Sequence, residues 1–437
     1  MAKPQILLMP FRYDKYNYEG LKKRNVDILM TFLIPLLLLL PAMYLCTTLS
    51  FPQYDNTWGI SDYLINYEGG FVRRGLIGEI LYLCHDLAGI NPLILIYLLS
   101  FVCYFAVVGV LISAVKKKNM AWWIVFALPL CGYIGDIVRK DYLMYLMLIG
   151  LTLLAGGLNS DKIQSGRMQS RSDLPRIIMM FLIITFTMLC HEGFIFFGLS
   201  VCCLYIFNVS GKRVPAVALG IWGCILFGIA SLAKGNGSVV IGISESLNGI
   251  GFPPEVTQGG SIDALQWDLK ETMLMHLKLN FKPPYYNAEL PAAAYWVIGI
   301  LSKIILWLAV YYLMINLPAV FTRGKNEGER IQKRDNIGGL LLLTMLTMLP
   351  MMTVLCCDRN RVLQFWVMGA YIPAMLLPAS QVARILPDRF MQITHRFNNT
   401  LTKIIAPHAW ILILLYISIL LLPVVTYFRK LAGVIPY

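Results

Sequence analysis

Apolar runs recur along the chain, separated by short polar segments. They lie at about 28–48, 91–115, 120–135, 142–157, 214–233, 295–318, 338–356, 363–381 and 408–427. A longer run at about 177–208 is broken by His191-Glu192-Gly193. A helix needs roughly 20 apolar residues to cross a bilayer. The pattern therefore predicts an all-α fold, a polytopic transmembrane helix bundle of about 11 spans, with re-entrant or surface helices in its outer loops. All 437 residues are read as a single integral membrane domain.

Composition strengthens this picture. The chain is 58% hydrophobic and 14% charged, where a soluble domain carries about 25% charge. The formal net charge of +13 does not call for a nucleic-acid partner, because lysine and arginine collect in cytoplasmic loops and set orientation. The first 26 or so residues are polar and basic (Lys22, Lys23, Arg24) and precede an apolar run. They read as an uncleaved signal anchor with the N-terminus inside. Charge also decides how the 177–208 stretch is divided. Two spans place Lys212-Arg213 and the basic loop 323–334 inside, whereas one span would put that loop outside, so two are expected. This gives a cytoplasmic N-terminus in a bacterial inner membrane. Ten cysteines, mostly within apolar runs and with no CxxC pair, read as packing residues; no disulfide framework, metal or cofactor is expected.

Two outer loops are long. The first, 49–90, contains Asn66-Tyr67-Glu68-Gly69-Gly70-Phe71-Val72-Arg73-Arg74-Gly75-Leu76-Ile77-Gly78-Glu79. Its glycines allow a tight turn or a close approach to a ligand, and a helix is expected to start near Leu76. The second, 235–293, holds a segment at about 262–279, with Ser261 as a cap and Leu265, Leu269, Met273 and Leu277 on one face. It predicts a helix lying on the membrane or over a cavity.

Four charged clusters fall on the outer side under this topology. They are Glu68/Arg73/Arg74/Glu79 with Asp55 and Asp62, then Asp136/Arg139/Lys140/Asp141, then His191/Glu192, then Asp358/Arg359/Arg361. Arginines in short outer loops run against the positive-inside tendency, and guanidinium binds phosphate with paired hydrogen bonds. Arg73, Arg74, Arg139, Arg359 and Arg361, with Asp136, are therefore candidates for holding a diphosphate or sugar. The bland alternatives are local: Arg73 and Arg74 pairing with Glu68, Glu79 or lipid headgroups, and Asp136 pairing with Arg139 or Lys140 one turn away. His191 and Glu192 interrupt an apolar run, and ionisable groups at membrane depth point to function; the alternative is a packing pair between helices. Ile195 stands where HExxH would need its second histidine, so a zinc protease is not supported.

The organisation resembles the bacterial surface-polysaccharide polymerases (Wzy- or EpsG-like) and the GT-C-type membrane glycosyltransferases. It is carried by the GGFVRRGLIGE segment after span one, the His-Glu interruption, the long late outer loop and Asp358-x-x-Arg361. The resemblance implies transfer of glycan from an undecaprenyl-diphosphate carrier at the outer face during O-antigen, capsule or exopolysaccharide synthesis. The partners would be the polyprenyl-diphosphate-linked glycan, the lipid bilayer and other polysaccharide-assembly proteins. His191, Glu192, Asp358 and Glu68 are the candidate catalytic groups. First-loop acids (Asp55, Asp62, Glu68) are candidates by analogy with GT-C enzymes, but the loop has no paired acid, which favours the polymerase reading. A flippase of lipid-linked sugars and a glycan acyltransferase are the rivals.

Overall fold

The structure, a computed structural model, describes residues 57–118, 138–158, 173–281, 292–321, 327–356 and 358–406. The expected spans at about 28–48, 120–135 and 408–427, the basic N-terminal segment, Asp55 and Asp136 lie outside these residues.

The described chain is helical, with no strand among its residues. It forms α1 (Thr57–Leu64), α2 (Gly75–Ala88), α3 (Pro92–Lys118), α4 (Asp141–Gly157), α5 (Leu174–Cys190), α6 (Ser200–Asn208), α7 (Arg213–Leu232) and α8 (Gly237–Asn248). There follow α9 (Pro254–Thr257), α10 (Gly260–Asp263), α11 (Leu269–Asn280), α12 (Ala292–Phe321), α13 (Glu327–Pro350), α14 (Arg359–Leu376), α15 (Ala379–Val382) and α16 (Asp388–Ile405). One π-helical turn, Ile195–Leu199, leads into α6, and another, Met351–Leu355, extends α13.

Four helical stretches among the described residues are long and apolar enough to cross a membrane: Pro92–Ala114, Arg213–Leu232, Trp296–Asn316 and Ile331–Leu355. Their outward faces are apolar. Ile94, Leu98, Val102 and Phe105 form an exposed row on α3, and Val214, Val217, Ile221 and Ile225 form one on α7. Water would penalise such rows, whereas lipid covers them. Three apolar helices are shorter: Asp141–Gly157, Leu174–Cys190 and Ile195–Asn208. At 1.5 Å per residue the longest of these reach about 25 Å, short of the ~30 Å hydrocarbon layer.

The 177–208 stretch is two legs, as the charge argument expects. α5 and α7 run the same way: Asp173 pairs with Lys212 near their starts, and Trp222 Nε1 donates to Thr185 Oγ1 at 2.8 Å further along. α6 runs the other way against α7. A Cβ on Gly223 would lie 2.2 Å from Leu199, one on Gly220 would lie 3.9 Å from Cys203, and Phe196 meets Phe227 edge-on. The chain therefore reverses at His191–Phe194, where His191 is extended (φ −166°, ψ 112°). Non-helical backbone of this kind is tolerated at the end of apolar helices when protein surrounds it.

This reversal defines one end of the bundle. Arg73 N–H donates to Ala233 O at the end of α7 (2.8 Å). The start of α4 and the α13–α14 junction reach the same end through their side chains, described below. At the opposite end, Arg176 of α5 donates to Gly157 O at the end of α4 (2.8 Å). Beneath the first end, Phe197 and Phe365 stack with centroids 4.7 Å apart, and Tyr145 lies edge-on to both. These rings tie α4, the first π turn and α14 into one floor.

Segment 235–281 packs over α1. Ser261 N–H donates to Ser61 Oγ (2.9 Å) and Ser261 Oγ to Trp58 O (3.0 Å). The single helix expected at 262–279 is replaced by the short turn of α10 and by α11. Asp268, not Ser261, caps α11, accepting from Glu271 N–H at 3.0 Å. An Asp with Glu three residues on is a helix-start signature, and it wins over the apolar spacing. Leu265 is consequently buried outside the helix, and Leu269 is exposed within it.

Candidate functional site

The first polar loop folds as an elbow between α1 and α2. Tyr67 N–H donates to Glu79 Oε2 (2.9 Å), Glu68 N–H to Asn66 Oδ1 (3.2 Å), and Asn66 Nδ2 to Ser246 Oγ on α8 (3.0 Å). Two glycines make it possible. A Cβ on Gly78 would lie 1.9 Å from Ile65 O, and one on Gly69 2.2 Å from Val239 O. Both close approaches are to the protein's own backbone rather than to a ligand. The elbow delivers Arg74 to the N-terminus of α2 in a left-handed conformation (φ 66°, ψ 5°). Arg74 is the only non-glycine residue among those described with positive φ. Such a conformation costs of order 1 kcal/mol and persists where the surroundings impose it.

Those surroundings are visible. Lys140 is fully buried and donates to Arg74 O at 2.9 Å. The Arg74 guanidinium binds Glu192 at two points, with Nε 2.9 Å from Oε2 and NH2 2.6 Å from Oε1. On its other side NH1 lies 3.7 Å from Asp62 Oδ1. Lys140 Nζ lies 3.9 Å from Asp62 Oδ2. Burial alone would raise the Asp62 carboxyl; Lys140 and Arg74 outweigh it and hold it below the usual range. Burial acts on Glu192 in the same sense, and Arg74 overrides it, so Glu192 is held well below the carboxylate range. Asp62 Oδ1 is buried without a hydrogen bond.

The second half of the site is built from α4, α14 and the reversal. Arg361 binds Asp141 at two points, with Nε 2.9 Å from Oδ2 and NH2 2.5 Å from Oδ1. Its NH2 also lies 3.2 Å from His191 Nε2. Asp358 caps α14 by accepting from Arg361 N–H (3.4 Å), and its Oδ2 accepts from Arg139 (2.9 Å). The other imidazole nitrogen, Nδ1, faces Gly193 N–H at 3.1 Å. Both ring nitrogens thus meet N–H donors, and an imidazolium would have an acceptor on neither side. Burial first, and then the charge of Arg74, push His191 well below its ordinary pKa. The ring is neutral at pH 7.

The structure brings together Arg74, Arg139, Arg361, His191, Glu192 and Asp358 from the expected set. Arg73 joins at the edge, its NH1 3.9 Å from Glu192 and its Nε buried without a hydrogen bond. Arg359 is the first residue of α14. Glu68 does not join: it is exposed on the elbow, and Asp62 takes the acidic position instead. The local pairings weighed for Arg73 and Arg74 give way to Glu192, more than a hundred positions away. Asp136 lies outside the described residues. Three further members join: Asp62, one of the first-loop acids, and Lys140 and Asp141, neighbours of Arg139. The alternating acids and bases of 136–141 signalled the last two, but their partners lie on other helices. Lys303, a buried lysine within α12, was unforeseen; it lines a recess with Asn280 and Trp307.

Among the described side chains, five cations (Arg73, Arg74, Arg139, Lys140, Arg361) stand against four carboxylates (Asp62, Asp141, Glu192, Asp358). These side chains carry an excess of one positive charge, with Arg73 the least engaged guanidinium. Such a group can receive an anion without rebuilding its ion pairs. Among the described residues no group of His, Cys, Asp or Glu is arranged to hold a metal ion.

Residues 31–129 match the model of a family described as uncharacterised membrane protein Rv1490. This match takes in the elbow and Arg73–Arg74 but ends before the other site segments. No curated protein and no solved structure matches the chain.

Proposed function

We propose that this protein is a membrane glycosyltransferase of the polysaccharide-polymerase type, using a polyprenyl-diphosphate-linked glycan as donor. The observation that carries the reading is the convergence of Arg73, Arg74, Lys140, His191, Glu192, Asp358 and Arg361 at one end of an apolar bundle, with a positive excess among the described side chains. A lipid diphosphate leaving group develops negative charge as the glycosidic bond breaks, and fixed cations in a water-poor site stabilise it. Arg73 makes the direct contact in this scheme, and Arg74 and Arg361 form the wall behind it.

The attacking hydroxyl must lose a proton to a nearby base. Glu192, Asp141 and Asp358 are hydrogen-bonded to arginines, so that role passes to Asp62, whose Oδ1 lies 3.7 Å from Arg74 but accepts no hydrogen bond. In this reading the chain has about 11 spans in a bacterial inner membrane, by the run-length and positive-inside arguments. The N-terminus is cytoplasmic and the charged end faces outward.

The test is Arg73→Gln in the parental bacterium, scored by surface-glycan length on a gel. Loss of long chains, with single repeat units accumulating outside, is expected. Unchanged long chains would end the assignment. Repeat units trapped inside would favour the flippase reading.

A further inference from the structure

The end of the bundle opposite the charged site carries a second polar cluster. Asp335, at the start of the span Ile331–Leu355, is buried and accepts from His395 Nδ1 (2.5 Å) and Asn398 Nδ2 (2.8 Å), both on α16. Tyr311, near the end of the span Trp296–Asn316, donates to Asn398 Oδ1 (2.6 Å), and Arg334 donates to Asn399 Oδ1 (2.7 Å). These bonds fix α16 within about 8 Å, along the helix axes, of two span ends. That is the depth of headgroups and upper acyl chains.

The outer face of α16 suits that depth. Arg389, Arg396 and Lys403 are all exposed. They recur every seven residues, so each falls about 20° from the last and the three form one row. Beside the row lie Ile393 and Ile404, 63% and 65% exposed. The opposite face, with Thr394, Asn398 and Leu401, is buried against the bundle. A cationic row flanked by bare isoleucines is matched by a bilayer surface of anionic lipid, which takes the charge at its headgroups and the isoleucines just below.

We propose that α16 is an interfacial helix whose Arg389–Arg396–Lys403 row binds anionic phospholipid headgroups and anchors this end of the bundle in the bilayer surface. The inference is independent of the glycan reading.

The test uses the full-length protein in nanodiscs of phosphatidylcholine, with or without phosphatidylglycerol. Phosphatidylglycerol should raise the thermal midpoint of the unaltered protein by several degrees, and high salt should reduce that gain. R389Q/R396Q/K403Q should lose it. In parallel, tryptophan placed by Ile393→Trp, read as the difference from the parent, should be quenched by brominated acyl chains and shielded from aqueous iodide. This second measurement stands even where the triple variant fails to fold. An equal phosphatidylglycerol gain in the triple variant overturns the proposal. So does quenching by iodide alone, and so does protection from both quenchers, which would mean that protein covers this face.

Discussion

Arg74 and Glu192, 118 positions apart, meet in a two-point ion pair, and the arginine that makes it sits in a left-handed backbone conformation. The pair joins the α1–α2 elbow to the α5–α6 reversal, so two separate polar interruptions of the chain become one wall. Removing one partner leaves the other with only a longer contact, Arg74 with Asp62 at 3.7 Å or Glu192 with Arg73 at 3.9 Å, which costs up to about 3–5 kcal/mol. Glu192→Met is therefore expected to lower the unfolding free energy in detergent by roughly that amount. The double variant Arg74→Met/Glu192→Met should cost clearly less than the two single changes added together. Strict additivity in this cycle would mean that the pair is not coupled.

Arg73 should behave differently. Its contact with Glu192 is long, at 3.9 Å, and its side chain is the most exposed of the paired site arginines. Arg73→Gln is expected to change stability by no more than about 1 kcal/mol, while removing surface-glycan extension. A loss of stability as large as that of Glu192→Met would assign Arg73 to holding the fold instead of the substrate.

The gathering of these residues was legible in part. Alternating the apolar runs and placing basic loops on one side puts residues 73–74, 139–141, 191–192 and 358–361 at a common end. That argument needs only run lengths and charge. The pairings were hidden, because Asp141 meets Arg361 across 220 positions and nothing in either local segment encodes the other. Asp62 and Glu68 are both first-loop acids, and nothing in their local sequence separates them. Burial separates them: α1 turns Asp62 inward, while the Asn66 turn leaves Glu68 in the open. A polar stretch such as 49–90 shows little periodicity from which a buried face could be read.

The elbow itself can be tested at Gly78. A methyl there would sit 1.9 Å from Ile65 O, which is backbone and cannot swing away. Gly78→Ala is expected to cost about 1–3 kcal/mol, the usual penalty for overpacking. It should also displace Arg74, four residues before it, from Glu192. Trypsin cleavage at Arg73–Arg74 in detergent should speed up accordingly. An unchanged thermal midpoint and cleavage rate would show that the approach of α2 to the loop is looser than this geometry.

His191 gives a prediction in pH. Its folded pKa is depressed by burial and by Arg74, whereas an unfolded histidine titrates near 6.5. Below that pH the unfolded chain takes up a proton that the folded site refuses, so stability falls as the medium is acidified. The sign is that of a group buried neutral: its contribution is full above about 6.5 and is lost progressively below it. The depressed carboxylates Asp62 and Glu192 act in the same direction at lower pH, through and below the ordinary carboxylate range. Between pH 8 and pH 5 the His191 contribution is isolated by comparing the protein with His191→Asn, whose side-chain oxygen can still accept from Gly193 N–H. The thermal midpoint of the unaltered protein should drop more steeply with acid than that of the variant. Parallel curves over this interval would mean that His191 takes up its proton in the folded state, and the neutral, arginine-flanked ring would have to be abandoned.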